Sequence, residues 1–259
     1  MRFVARALTR AGWRVEAPLL PGHGATQREL LATRWRDWLA GARRGLEVLT
    51  RDCDHVLVAG LSMGALLAVM LAAEDCRVCG IALLSTTLRY DGRSIPAARI
   101  FLPLAHAFPF LGRFFYWNEA PPYGLRDVRL QRVILRAVNA AKRGQNTQYG
   151  LFRTSVSSVR QLDLLARRTR RQARNVACPA LVVHSLEDTV TTTANATEIF
   201  TLLGTDDKRM VLLGGCDHVI TLDLRRDAVA RHVVEFGEHA VQSASEAAAP
   251  PPQDRGGPA

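Results

Sequence analysis

Residues 55–73 read HVLVAGLSMGALLAVMLAA, and the fold follows from this stretch. HVLVA predicts a short buried strand, and ALLAVMLAA predicts an apolar helix. Between them, Gly60-Leu61-Ser62-Met63-Gly64 fits G-x-S-x-G, in which the serine occupies a strained turn between strand and helix. Glycines two residues before and after Ser62 are expected because side chains there would collide with the turn. The turn exposes the hydroxyl, and the helix N-terminus favours negative charge, so Ser62 is predicted to be a nucleophile rather than part of a plain structural turn.

The same alternation of elements continues on both sides of this stretch. Apolar runs predict strands at 13–20, 80–84, 180–184 and 209–213, and helical spacing predicts helices at 3–10, 34–50 and 222–240. Strands that are continuously apolar and alternate with helices indicate a mostly parallel sheet with helices on both faces.

A nucleophilic serine needs a histidine base, and the histidine needs a carboxylate that orients it. The loop after the strand at 180–184 carries Asp188, and the loop after the strand at 209–213 carries His218. Because parallel strands place their carboxyl ends at one edge of the sheet, both loops are expected beside Ser62. We predict Ser62 as nucleophile, His218 as base and Asp188 as the orienting acid.

Several neighbouring residues compete for these roles. Glu187 adjoins Asp188 and is the alternative acid, whereas Asp217 adjoins His218 and is expected to point away from it. His184 is predicted to be packed inside a strand, and His23 to shape the Pro21–Gly24 turn.

The chain divides into a core, an insertion and a tail. Residues 1–86 and 176–242 are predicted to form the core, and 87–175 a helical cap. Residues 243–259, rich in Ala, Pro and Gly, are predicted to be disordered. The apolar stretch Ile95–Trp117 within the cap suits either an acyl pocket or simple packing onto the sheet.

Composition narrows the possible classes of function. The net charge is +10, but 32 of the 34 basic residues are arginine, and the densest cluster, Arg167–Arg174, is interpreted as a solvated helix face rather than a nucleic-acid site. Five unevenly spaced cysteines indicate structural thiols in a reducing compartment, so a cytoplasmic location is expected. We find no apolar run of about 18 residues that would insert stably in a membrane. No ligand cluster for a metal or cofactor is evident.

Four segments together carry a family resemblance: PLLPGHG, VAGLSMG, VVHSLEDTV and GCDHVITLD. They resemble the bacterial carboxylesterase and monoacylglycerol-lipase branch of the α/β hydrolases, which overlaps the S33-type serine aminopeptidases and lysophospholipases. The resemblance covers about Phe3 to Ala240 and is weakest in the cap. It implies hydrolysis of carboxylic esters without a cofactor, with the nucleophile at Ser62, the acid at Asp188 and the base at His218.

The chain departs from that family at the oxyanion hole. The resemblance places one donor at the Met63 N–H and a second on a loop that follows an apolar strand. That strand and its loop have no counterpart in this sequence. In the sheet of the family, the missing strand would lie between the strands predicted here at 13–20 and 55–59. We expect the chain to be an incomplete version of a longer protein, the alternative being a short form that is weakly active or inactive.

The sequence thus favours a serine esterase acting on small or lipid-like esters. A serine aminopeptidase is the first alternative; it needs an acidic group in the cap, and Glu119 and Asp127 are available. A non-catalytic protein of the same fold is the second. The oligomeric state is left open.

Overall fold

The structure is a computed structural model that describes residues 1–24, 26–94, 115–118, 120–143 and 153–248. The helices are α1 (Arg2–Arg10), α2 (Gln27–Ala32), α3 (Trp35–Leu49), α4 (Met63–Glu74), α5 (Val128–Lys142), α6 (Val156–Gln172), α7 (Thr193–Leu202) and α8 (Arg226–Ala248). The strands are β1 (Val56–Leu61), β2 (Val78–Leu84), β3 (Tyr116–Asn118), β4 (Arg153–Ser155), β5 (Ala180–Ser185) and β6 (Lys208–Leu213). A 3₁₀ turn, Ala173–Asn175, follows α6.

Four of these strands form one parallel sheet in the order β1-β2-β5-β6. On one face the buried core contains Trp38 of α3 and Met70 of α4, and on the other it contains Val4 of α1 and Phe236 of α8. Every residue of β2 and β5 is buried, as expected for central strands covered by helices on both sides. The predicted α/β class and the helices on both faces are confirmed.

The predicted strand at Trp13–Leu20 is wrong. These residues follow α1 and belong to no sheet among the described elements. A strand exists only where a neighbour accepts its backbone hydrogen bonds, and no described strand lies beside this segment. A cavity of about 610 Å³ separates it from β1, lined by apolar residues such as Val4, Leu8, Val15 and Leu57. The cavity occupies the place where the sequence analysis expects a further strand.

Two other expectations shift in detail. The last helix begins at Arg226 rather than Leu222, because Asp223 accepts the N–H groups of Asp217 and Leu224 and holds this stretch in a turn. It runs to Ala248 and so includes residues 243–248 of the predicted tail. Residues 249–259 lie outside the described residues.

The predicted cap is described only in part. It contains α5, α6 and the short antiparallel pair β3–β4, which the sequence did not indicate. Residues 95–114 of the apolar stretch Ile95–Trp117 lie outside the described residues, so its role as an acyl pocket stays a prediction. Among the described residues, none of the helices is long and apolar enough to span a membrane.

Asn195 of α7 fixes the loop that leaves β2 toward the cap. Its side-chain oxygen accepts the N–H groups of Leu88 and Arg89 at 3.0 and 2.9 Å, and its amide nitrogen donates to Asp91 at 3.0 Å. The residue is fully buried. A buried amide with all its bonds made is costly to replace, because its partners lose water and hydrogen bonds together.

We expect Asn195→Leu to lower the free energy of unfolding by about 2–4 kcal/mol, since it leaves the buried Leu88 N–H and the Arg89 N–H without an acceptor and removes one of the donors to Asp91. Asn175→Leu is the matched control: Asn175 is exposed and bonds only Gln172 nearby, so a change within about 0.5 kcal/mol is expected. Urea unfolding followed by circular dichroism measures both variants. Equal stability of the two would contradict the assigned role of Asn195.

Candidate active site

Ser62 lies in a tight turn between β1 and α4. Its backbone has φ 56° and ψ −114°, a conformation with positive φ that L-residues seldom adopt. Such a conformation costs about 1–3 kcal/mol and persists only where the surroundings enforce it. Here the Ser62 N–H donates to the Leu84 carbonyl of β2 at 2.8 Å, which anchors the turn to the neighbouring strand.

The two glycines of the motif differ in importance. A Cβ atom at Gly60 would lie 2.1 Å from the Gly64 carbonyl carbon and oxygen, closer than atoms can approach. A Cβ atom at Gly64 would meet nothing within 4 Å. The expectation that both glycines are needed for space is therefore wrong for Gly64, because its missing side chain would point into open space.

The structure brings the three predicted residues together. Ser62 Oγ lies 3.0 Å from His218 Nε2, and His218 Nδ1 lies 2.8 Å from Asp188 Oδ2. Asp188 follows β5 and His218 follows β6, so the parallel sheet delivers both loops to the edge at which β1 ends. This continuous chain of hydrogen bonds is the arrangement that activates a serine hydroxyl.

Asp188 is held almost entirely by its own loop. Its Oδ1 accepts the N–H groups of Val190 and Thr191, both at 2.8 Å, and its Oδ2 accepts the Thr191 hydroxyl at 3.0 Å. Burial alone would raise the pKa of Asp188. The hydrogen bond and charge of His218, with the Thr191 N–H, outweigh burial and lower the pKa. Asp188 is therefore an ionised carboxylate at neutral pH, as the orienting role requires.

Two further buried carboxylates brace the loops. Asp217 accepts the N–H and hydroxyl of Thr189 at 2.7 and 2.9 Å, as well as the N–H of His218 at 2.8 Å. Asp223 accepts four backbone N–H groups within 2.9 Å, from residues 126, 127, 217 and 224. Asp217 thus joins the acid loop to the histidine loop, and Asp223 joins the histidine loop to the residues before α5.

Sequence reasoning missed three side chains at the site. The Thr87 hydroxyl lies 2.8 Å from Ser62 Oγ, and Thr191 Oγ1 lies 3.2 Å from His218 Nδ1. His184 is buried in β5 as expected, yet its Nε2 lies 3.3 Å from Asp188 Oδ2. The sequence signal was their position: Thr87 and Thr191 lie in the loops that follow β2 and β5, and His184 is the residue before the last in β5.

The competing residues occupy other roles. Glu187 accepts the Gly215 N–H at 3.0 Å and pairs with Arg126, so its carboxylate does not bond His218. Asp127 caps α5 by accepting the N–H groups of Arg129 and Leu130. His23 lies in its predicted turn, packed edge-on against Trp38. Glu119 lies outside the described residues.

Met63 is the first residue of α4, so its N–H is one of the helix-terminal donors that lack an intrahelical acceptor. In the described part of the chain this N–H donates to no other group. The 610 Å³ cavity beside β1 reaches Ser62 and Met63.

The arginine cluster and the cysteines were the other groups that the sequence singled out. In the arginine cluster, Arg167 pairs with Asp163 and Arg170 with Glu198. All five cysteines are free, and burial raises the pKa of Cys178 to about 12, which keeps that thiol protonated and unreactive. No group of metal-ligating side chains forms within the described ranges.

A parallel sheet between helices, with a serine on a strained turn after one strand and an acid and a histidine after two others, defines the α/β-hydrolase class. A family model described as serine aminopeptidase, S33, matches residues 1–225. The chain belongs to this family.

Named relatives and solved structures agree with that assignment. The chain is 29% identical over 237 residues to a thermostable monoacylglycerol lipase of Bacillus sp. (strain H-257), covering 91% of this chain and 84% of the relative. It is 25% identical to a carboxylesterase of Bacillus subtilis (strain 168), covering 92% and 86%. The monoacylglycerol lipase of Paleococcus ferrophilus has the same fold, with TM-score 0.73, 19% identity and coverage of 91% and 88%.

The difference between the two glycines gives a matched test of the turn. Gly60→Ala places its methyl group against the Gly64 backbone, and we expect a loss of more than about 3 kcal/mol of stability or failure to fold. Gly64→Ala adds a methyl group in open space, and we expect it to keep the melting temperature of the wild type. Differential scanning fluorimetry compares them; a Gly60→Ala protein as stable as Gly64→Ala would overturn the steric argument.

Proposed function

We propose that the protein is a serine hydrolase that cleaves carboxylic esters of small or lipid-like acyl groups. The observation that carries this proposal is the hydrogen-bonded chain from Ser62 through His218 to Asp188 on a strained turn. The names of the relatives, a monoacylglycerol lipase and a carboxylesterase, support the ester as the bond that is cleaved.

The reaction begins when Ser62 Oγ attacks the ester carbonyl carbon and its proton passes to His218 Nε2. Asp188 keeps the Nδ1–H of His218 in place and stabilises the imidazolium that forms. The Met63 N–H donates to the oxyanion. Collapse of the adduct breaks the bond to the alcohol oxygen, which takes the proton from Nε2 and leaves.

The acyl group is then bonded to Ser62 Oγ, and water completes the cycle. His218 Nε2 accepts a proton from the water as its oxygen attacks the acyl carbonyl. The second adduct expels Ser62 Oγ, which regains the proton from His218 and leaves the carboxylic acid free. The steps use water, the Met63 N–H and the side chains of Ser62, His218 and Asp188.

A serine aminopeptidase is the second candidate, because the matching family model carries that description. Such an enzyme needs an acidic group that holds the free amine of its substrate. Asp127, one of the two acids available for that role, caps α5, which favours the ester. Comparison of alanine p-nitroanilide with N-acetylalanine p-nitroanilide, beside p-nitrophenyl butyrate, distinguishes the two: an aminopeptidase would cleave the anilide that has the free amine and spare the acetylated one, whereas an esterase would cleave the butyrate and neither anilide.

Labelling with a fluorophosphonate probe tests Ser62 without a choice of substrate. We expect the wild-type protein to be labelled and Ser62→Ala to be unlabelled, because the probe reacts only with an activated serine. Ser94→Ala controls for the loss of a serine elsewhere and should label fully. A folded wild type that resists labelling would contradict the proposed function, and a panel of esters with increasing acyl length follows a positive result.

The choice between Asp188 and Glu187 as the acid has its own test. Asp188→Asn retains the shape but removes the charge and permits the wrong histidine tautomer, so we expect kcat to fall by about 10³–10⁴-fold. Glu187→Gln should stay within about threefold of the wild type, because this side chain bonds Gly215 and Arg126 rather than His218. Ester hydrolysis at pH 8 measures both, and the reverse order of effects would transfer the role to Glu187.

A further inference from the structure

His184 is a second histidine next to the carboxylate of the site, and the mechanism above does not use it. It is the residue before the last in β5, just ahead of the acid loop, and it is fully buried. Its Nε2 has two oxygen neighbours, the Thr191 carbonyl at 3.1 Å and Asp188 Oδ2 at 3.3 Å. Its Nδ1 has no hydrogen-bond partner among the described residues.

Counting protons fixes the state of this ring. A carbonyl oxygen and a carboxylate oxygen can only accept, so the nitrogen that faces both must carry the hydrogen. Burial, the largest effect, lowers the pKa of His184 despite the nearby Asp188 charge, so the ring is neutral at neutral pH. The Nε2–H tautomer therefore presents a dipole, rather than a charge, to Asp188.

The same contact also secures Thr191. The Thr191 N–H and hydroxyl both donate to Asp188, and its hydroxyl lies 3.2 Å from His218 Nδ1. The Nε2–H of His184 holds the carbonyl of that residue. His184 thus contacts Asp188 directly. It also anchors Thr191, whose hydroxyl lies beside the hydrogen bond between Asp188 and His218.

We propose, on the basis of the proposed hydrolase function, that His184 is a positioning residue that acts through Asp188 and tunes how strongly that carboxylate acts on His218 as the base. The positive end of its N–H dipole offsets part of the Asp188 charge. Less of that charge then acts on the proton that His218 Nε2 takes up from Ser62.

The other carboxylates near His184 and Asp188 have hydrogen-bond partners of their own, which a substitution at His184 does not remove. Asp91 is the third charged group that acts on it, and its carboxylate is already bonded to the N–H and hydroxyl of Thr192. Asp217 and Asp223 are satisfied by the loop donors described above. A substitution at His184 therefore changes the surroundings of Asp188 and leaves the other carboxylates with their partners.

Two variants with side chains of similar length distinguish the effect of the N–H dipole from the effect of packing. His184→Gln can keep an N–H donor close to the position of Nε2, whereas His184→Met fills the space without a donor. We expect His184→Met to move the acid limb of the kcat/KM profile for p-nitrophenyl butyrate up by about 0.5–1 pH unit. On that shift, kcat/KM at pH 6 falls by about 3–10-fold while the plateau above pH 8 changes by less than about threefold. His184→Gln should restore the wild-type limb.

A purely structural role predicts a different pattern. Both variants would then lower the melting temperature and the plateau, with the midpoint of the acid limb unmoved, and that result would overturn the proposal. The pH dependence of fluorophosphonate labelling provides the same comparison without a substrate.

Nitrogen-15 NMR of the histidine rings in the wild type keeps the test open where His184→Met does not fold or no hydrolysis is found. We expect His184 as the neutral Nε2–H tautomer at neutral pH; a protonated ring or the Nδ1–H tautomer there would overturn the proposal. Failure of the proposed function is separate and shows as a folded wild type that the fluorophosphonate does not label.

Discussion

The site depends on the close approach of Gly60 to Gly64 at the end of β1. Only a residue without Cβ at position 60 lets the chain reverse so sharply that Ser62 takes a positive φ and stands clear of the backbone. The energy stored there is offset by the pairing of β1 with β2 and by the apolar burial of α4, whose residues 65–71 are all buried. A loosely packed helix at this point would let the turn relax, and the serine would no longer face His218.

Buried carboxylates hold the other half of the site. Asp188, Asp217 and Asp223 each accept at least three N–H or O–H groups, those of Asp188 from its own loop and those of Asp217 and Asp223 from more than one loop. A buried charge is tolerated only when it is surrounded by donors, and the same donors fix the loops that provide them. The acid loop, the histidine loop and the residues before α5 therefore form one connected unit, in which the Asp188 carboxylate is directed at His218.

Local patterns of the sequence were enough to select the three residues that the structure brings within hydrogen-bond distance of one another. Ser62, Asp188 and His218 each lie in a turn or loop that follows an apolar run, and a parallel sheet leaves one common edge for such residues. The strand expected at Trp13–Leu20 was wrong because a strand is defined by a neighbour, which an apolar run does not reveal. The difference between Gly60 and Gly64 and the contact of His184 with Asp188 depend on the path of the backbone in three dimensions. No spacing rule encodes that path.

The position of β1 in the sheet shows how the serine is supported. On one side β1 pairs with β2 along its whole length, the Ser62 N–H continues that ladder to Leu84, and Thr87 reaches the serine hydroxyl. On the other side of β1 lies the 610 Å³ cavity, and no strand of the described residues pairs with β1 there. The geometry of the nucleophile is therefore determined from the side of β2 and α4. Because the acid and histidine loops also lie on that side, the bond between Ser62 and His218 does not require a partner across the cavity, whereas a second donor to the oxyanion would have to approach from elsewhere.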